Sequence, residues 1–126
     1  MKFSEDKIDQ GYYVSGYDTG VILVNGAPKT ASFVISREKL IEDWAPTRID
    51  ELRTRHLEPL QAMQPELVLI GTGETLRFPS VEHYACLIEQ NIGVEIMDSA
   101  AACRTYNILL GEGRNVVAGI ILGIRD

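Results

Sequence analysis

The sequence predicts an α/β fold: a three-layer single domain with a mixed sheet, its N-terminal antiparallel strands followed by a parallel β-α-β-α-β half. Three observations carry that reading. Leu67 to Ile70 is a short, unbroken apolar run that enters Gly71-Thr72-Gly73, the pattern of a strand covered on both faces and closed by a tight turn. A second strand, Val94 to Met97, runs into Asp98 or Ser99 as the cap of a very apolar helix. The first third instead carries strand formers punctuated by glycine around Asn25-Gly26, a strong hairpin signal.

Residues 1–10 are polar and are expected as a flexible tail or a strand edge. Tyr12–Val14 and Val21–Val24 are rich in strand formers, and Thr30–Ile35 is expected to be the return strand after Asn25-Gly26. Pro28 cannot donate to a ladder and belongs in or beside that turn. Leu40–Trp44 adds a short strand. Ile49, Leu52, His56, Leu57 and Leu60 recur at helical spacing within 48–62, and Pro59 limits that helix. Pro79-Ser80 opens the next helix, with Ser80 as N-cap and Val81, Tyr84, Ala85, Ile88 and Ile92 as its core face. Gly93 ends it. Strand 94–97, helix 99–111 and strand 116–122 complete the parallel half with right-handed crossovers. No repeat, low-complexity tract or linker divides residues 1–126.

A net charge of −6, with twelve basic residues spread along the chain, excludes nucleic acid as a partner. Met1-Lys2-Phe3-Ser4-Glu5-Asp6 lacks the apolar core of a signal peptide, and no stretch approaches the ~18 apolar residues of a membrane span. Two cysteines suit a reducing compartment. The expected address is the bacterial cytoplasm, at a membrane only through a partner and without insertion.

Gly71-Thr72-Gly73 after a strand, with Asp98 at the end of the next one, invites comparison with dinucleotide folds, where glycines let backbone N–H groups approach a pyrophosphate. The fit fails. No third glycine follows, Glu74 sits where a phosphate would, and the next helix waits until Ser80. A sharp structural turn is the better reading. Cys86, Cys103, His56 and His83 lack metal-ligand spacing, and no cofactor is implied. Cys103 beside Arg104 could carry a lowered pKa, but a buried small apolar side chain is favoured. Ser99 has no GxSxG context, so no catalytic residue is assigned.

Helix 99–111 is unusual. Ala102, Cys103, Tyr106, Leu109 and Leu110 form one apolar face, and Ala101 and Ile108 make the other side apolar too. Such a helix should be buried on both sides, within the fold or against another chain. Arg104 and Asn107 are its polar exceptions, and Asn107 is expected to tie the helix to neighbouring loop backbone. Glu112 and Arg114 flank the exit turn.

Leu69-Ile70-Gly71-Thr72-Gly73, Arg77-Phe78-Pro79, Gly93 to Asp98, Ala101 to Leu109 and Glu112-Gly113-Arg114 together resemble one family. It comprises small bacterial and archaeal domains of uncharacterised function and the mitochondrial respiratory complex I assembly factor 3. The resemblance implies a three-layer α/β fold with a mixed sheet. It also implies a role in assembling a membrane enzyme through protein contacts, with respiratory-complex subunits as partners.

Two functional readings follow. The first is a non-catalytic protein-interaction domain, with a protein partner or self-association as a homo-oligomer. The alternative is a small-molecule or anion-binding domain, or an enzyme, built on Gly71, Thr72, Gly73, Asp98 and Ser99, with Arg104, Asn107 and Arg114 as further candidate binding residues. In open α/β sheets, ligands bind beyond the carboxyl ends of the strands.

Overall fold

The chain builds two sheets. The computed structural model describes residues 11–122, so the tail expected over 1–10 lies outside the described residues. Strands β1 (Val14–Asp18), β2 (Val21–Val24) and β3 (Ala27–Lys29) form a three-stranded antiparallel meander. Strands β4 (Phe33–Ser36), β5 (Leu40–Glu42), β6 (Leu67–Gly71), β7 (Gly93–Met97) and β8 (Val116–Ile120) form a mixed sheet in the order β5-β4-β8-β6-β7. Within it β8, β6 and β7 are parallel, while β4 runs antiparallel to both β5 and β8. The predicted mixed α/β domain with a parallel β-α-β-α-β half is the observed one.

Period-two alternation sorts the core onto the two faces of the mixed sheet. Phe33, Ile35, Leu69, Ala118 and Ile120 pack with helix α3 (Ser99–Gly111) and with Val14, Ile22 and Val24 of the meander. Val34, Val68, Ile70, Val117 and Ile121 pack with Trp44, with Leu57 and Leu60 of helix α1 (Thr54–Ala62), and with Leu87 of helix α2 (Ala85–Glu89). The run Leu67–Ile70 is apolar throughout because β6 is covered on both sides. Cys86 and Cys103 fall into different clusters and are unpaired.

Five expectations need correcting. The return strand of the Asn25-Gly26 hairpin is Ala27–Lys29, not Thr30–Ile35. Asn25 (φ 49) and Gly26 (φ 84) are both left-handed, so a two-residue turn closes at once and β3 starts at Ala27. Pro28 sits in that edge strand, where a missing donor is tolerated. Pro59 does not end the first helix but lies within α1, at the cost of one intrahelical bond; the buried Leu57 and Leu60 flank it.

The helix expected from Ser80 is broken into a 3-10 turn, Val81–His83, and the short α2, because Tyr84 (φ −123, ψ 9) leaves the helical region. That break resets the phase. Leu87 takes the core position, while Val81 and Ile88 are 59% and 50% exposed. Finally, α3 is not buried all round: Ala102, Cys103, Tyr106 and Leu110 face inward, and Arg104 and Ile108 face out. The last strand also stops at Ile120, short of Leu122.

Candidate functional site

Strand β6 delivers Gly71, Thr72 and Gly73 to the carboxyl edge of the parallel strands, where β7 delivers Asp98 and α3 begins at Ser99. Helix and strand meet there at backbone distance. A Cβ on Gly71 would stand 2.8 Å from Ser99 Oγ and 3.0 Å from Ser99 Cα, so no larger residue fits. Gly73 has φ +106, a left-handed conformation that a side chain would strain.

The polar groups of this cluster hold one another. Ser99 N–H donates to the Gly73 carbonyl at 2.8 Å, and Ser99 Oγ accepts from Gly73 N–H at 2.9 Å while donating to the Ile121 carbonyl. Thr72 N–H donates to the Met97 carbonyl (2.9 Å), and its hydroxyl donates to Thr75 and accepts from Arg77 N–H. Asp98 caps α3 by accepting from Ala101 N–H at 2.8 Å. Ser99, the alternative cap, is instead the first helical residue, and its hydroxyl serves as a knot between two strand ends.

Beside this knot lies a cleft of about 320 Å³, walled by the β1–β2 turn on one side and the start of α3 on the other. Asp18, Glu74 and Asp98 line it, and no lysine or arginine does among the described residues. Three carboxylates facing one small volume repel a phosphate or carboxylate ligand rather than attract it.

The remaining predicted site residues are elsewhere. Arg104 donates to the Tyr17 hydroxyl at 2.9 Å on the exposed side of α3. Asn107 reads the backbone of one residue with both ends of its amide: Oδ1 accepts from Val14 N–H (3.0 Å) and Nδ2 donates to the Val14 carbonyl (2.7 Å). The expected tie exists, to the first residue of β1 rather than to a loop. Arg114 lies beyond the far end of α3, paired with Glu66 at 2.9 Å. Asn115 N–H and then Arg114 hold the Glu66 carboxyl below the usual range. Cys103 is fully buried, and desolvation pushes its thiol up to about 12 against the opposing pull of Arg104, which makes it inert at neutral pH.

One surface was missed by periodicity. Leu76, Phe78 and Val81 are 49%, 71% and 59% exposed within six residues of chain. The signal was present as apolar residues in a stretch with neither helical nor strand period, Leu76-Arg77-Phe78-Pro79. Among the described residues, no helix is long and apolar enough to cross a membrane, and no group of three or more His, Cys, Asp or Glu gathers for a metal ion.

Comparison with known proteins places this geometry in a family. Over 124 residues the chain is 32% identical to the 13 kDa major membrane protein of Francisella tularensis subsp. holarctica, covering 96% of this chain and 99% of that one. A crystal structure of a Bordetella parapertussis protein superposes with a TM-score of 0.83 at 33% identity, covering 90% of this chain and 97% of that chain. Human NADH dehydrogenase [ubiquinone] 1 alpha subcomplex assembly factor 3 is 23% identical over 114 residues, 89% of this chain but 61% of that protein. A family model described as protein of unknown function (DUF498/DUF598) matches residues 14–121, and the chain belongs to that family.

Proposed function

We propose that this member of the family is a non-catalytic protein-interaction domain that supports the assembly of a multisubunit complex. The observation that carries this reading is a contrast within one loop. The polar groups of the glycine cluster are engaged with one another, while Leu76, Phe78 and Val81 next to it are left in water. Clustered large apolar side chains in solvent mark a contact surface. The relation to a protein named as an assembly factor of NADH dehydrogenase supports the same reading, and respiratory-complex subunits are the partner class it suggests. The domain then reaches a membrane complex through its partner, from the cytoplasm, without inserting. Few polar groups are free for catalysis here: Cys103 is buried with its thiol pKa raised, and the Ser99 hydroxyl is held by two strand ends.

Thermal unfolding with nucleotides and small carboxylic acids tests this against the ligand-binding alternative. A ligand at one hundred times its Kd adds ~2.7 kcal/mol. The expected result is an unchanged Tm across the panel. A saturable rise that is lost in Thr72→Val or Asp98→Asn would replace the interaction reading with the ligand-binding one.

A further inference from the structure

β7 is an edge strand of the mixed sheet and carries the exposed Glu95, and the alternation of the ladder says which of its backbone groups face outward. Gly93 N–H donates to the Glu66 carbonyl at 3.0 Å, and the Met97 carbonyl accepts from Thr72 N–H at 2.9 Å. In a parallel pair, every second residue turns both its N–H and its C=O to the same neighbour. Residues 93, 95 and 97 therefore face β6, and Val94 and Ile96 turn their N–H and C=O away from it. Among the described residues, no strand of the sheet lies on that side.

The side chains follow the same alternation. Val94 and Ile96 are half-buried against the cluster that holds Leu87 of α2, and Glu95 is exposed on the opposite face. We propose that this edge accepts an added β-strand from a partner protein, an extended segment with the pattern apolar–basic–apolar. The apolar positions continue the half-buried row of Val94 and Ile96, and the Lys or Arg stands across from Glu95. Main-chain bonds to Val94 and Ile96 would supply affinity and the side-chain row specificity, the division of labour of β-augmentation.

Charge decides the occupant. In a full-register antiparallel pairing of two copies, Val94 meets the copy's Ile96, and Glu95 meets Glu95. Directly opposed like charges destabilise a strand pair, and a charged residue on an edge strand is a known guard against self-pairing. A net charge of −6 adds long-range repulsion between copies and attraction for a basic segment. The edge is thus closed to a second copy and open to a cationic strand.

This inference rests on the interaction reading, and its test is separable from that one. Capped peptides Val-Lys-Val-Lys-Val and Val-Glu-Val-Glu-Val are titrated into the full chain, and backbone amide exchange is followed residue by residue. The lysine peptide is expected to slow exchange at Val94 and Ile96 and to bind about fivefold more tightly than the glutamate peptide, the scale of an opposed charge pair in a strand. Glu95→Lys, at an exposed position, should reverse that preference with an unchanged Tm. Val94→Pro should weaken the lysine peptide by removing one outward donor. Failure of the lysine peptide to protect Val94 and Ile96, or equal lysine-peptide binding to Glu95→Lys, overturns the proposal. If a photo-cross-linking amino acid placed at Phe78 in the cell still captures a discrete protein in that case, the interaction reading stands and only the edge is removed from it.

Discussion

Gly71–Gly73 and Leu76–Val81 are separated by two residues, yet the fold treats them in opposite ways. In the first stretch every residue is buried and the backbone, hydroxyls and a missing Cβ are all used to seat α3 on the sheet. In the second, large apolar side chains stand in water although full burial of each would stabilise the fold by roughly 1.5–3 kcal/mol. The stretch that resembles a ligand motif is architecture, and the stretch that resembles core is surface. A glycine pair after a strand reports first on how closely a helix approaches it; function is better sought where the fold forgoes an available stabilisation.

Substitutions can break this comparison, and the largest effect is expected in the knot. Gly73→Val places a β-branched residue at φ +106 and should cost about 2 kcal/mol or more, read as a lowered denaturation midpoint. An unchanged midpoint would show a permissive turn. Asn107→Ala leaves both backbone groups of Val14 without their partner and should cost about 2 kcal/mol; amide exchange should rise in β1 and β2 before it rises in β6 and β8.

A smaller effect is expected with pH. The Glu66 carboxyl is held below its ordinary value of 4.5 by Asn115 N–H and Arg114. It therefore contributes stability that is present above pH ~4.5 and lost as pH falls through the folded-state value. Glu66→Gln should flatten that acid limb, so that Tm falls less as pH drops below ~4.5; an identical acid limb would exclude the pair from the transition. The smallest effect belongs to the strip: Phe78→Ser should alter stability by no more than about 0.5 kcal/mol, as for other surface changes. A loss several times larger would make Phe78 a packing residue and erase the contrast.

The mixed sheet, its parallel half and a helix cap at Asp98 or Ser99 were legible because they depend on local signals: an unbroken apolar run, a hairpin dipeptide and a capping residue before a helix. The meander's separate sheet was not, since the positive φ of Asn25 and Gly26 shortens the turn and hands Phe33–Ser36 to another sheet. The strip was hidden for a related reason. Val81 and Ile88 fit one helical face only if the helix is continuous, and the break at Tyr84 rotates that face into solvent. At the candidate site, Gly71, Thr72, Gly73, Asp98 and Ser99 were correctly grouped by strand order. Arg104, Asn107 and Arg114 were not part of that group, because α3 carries them progressively away from the carboxyl edge.

The central claim is that the exposed strip, not the glycine cluster with its cleft, is where this domain meets its surroundings. A photo-cross-linking amino acid placed at Phe78, and in parallel at Thr19 on the rim of the cleft, tests it in the native cell. The account predicts a discrete protein adduct from position 78 that disappears when Leu76 and Val81 are both changed to Ser, with little adduct from position 19. Adducts from position 19 alone, or from position 78 undiminished by the Leu76 and Val81 changes, would contradict it.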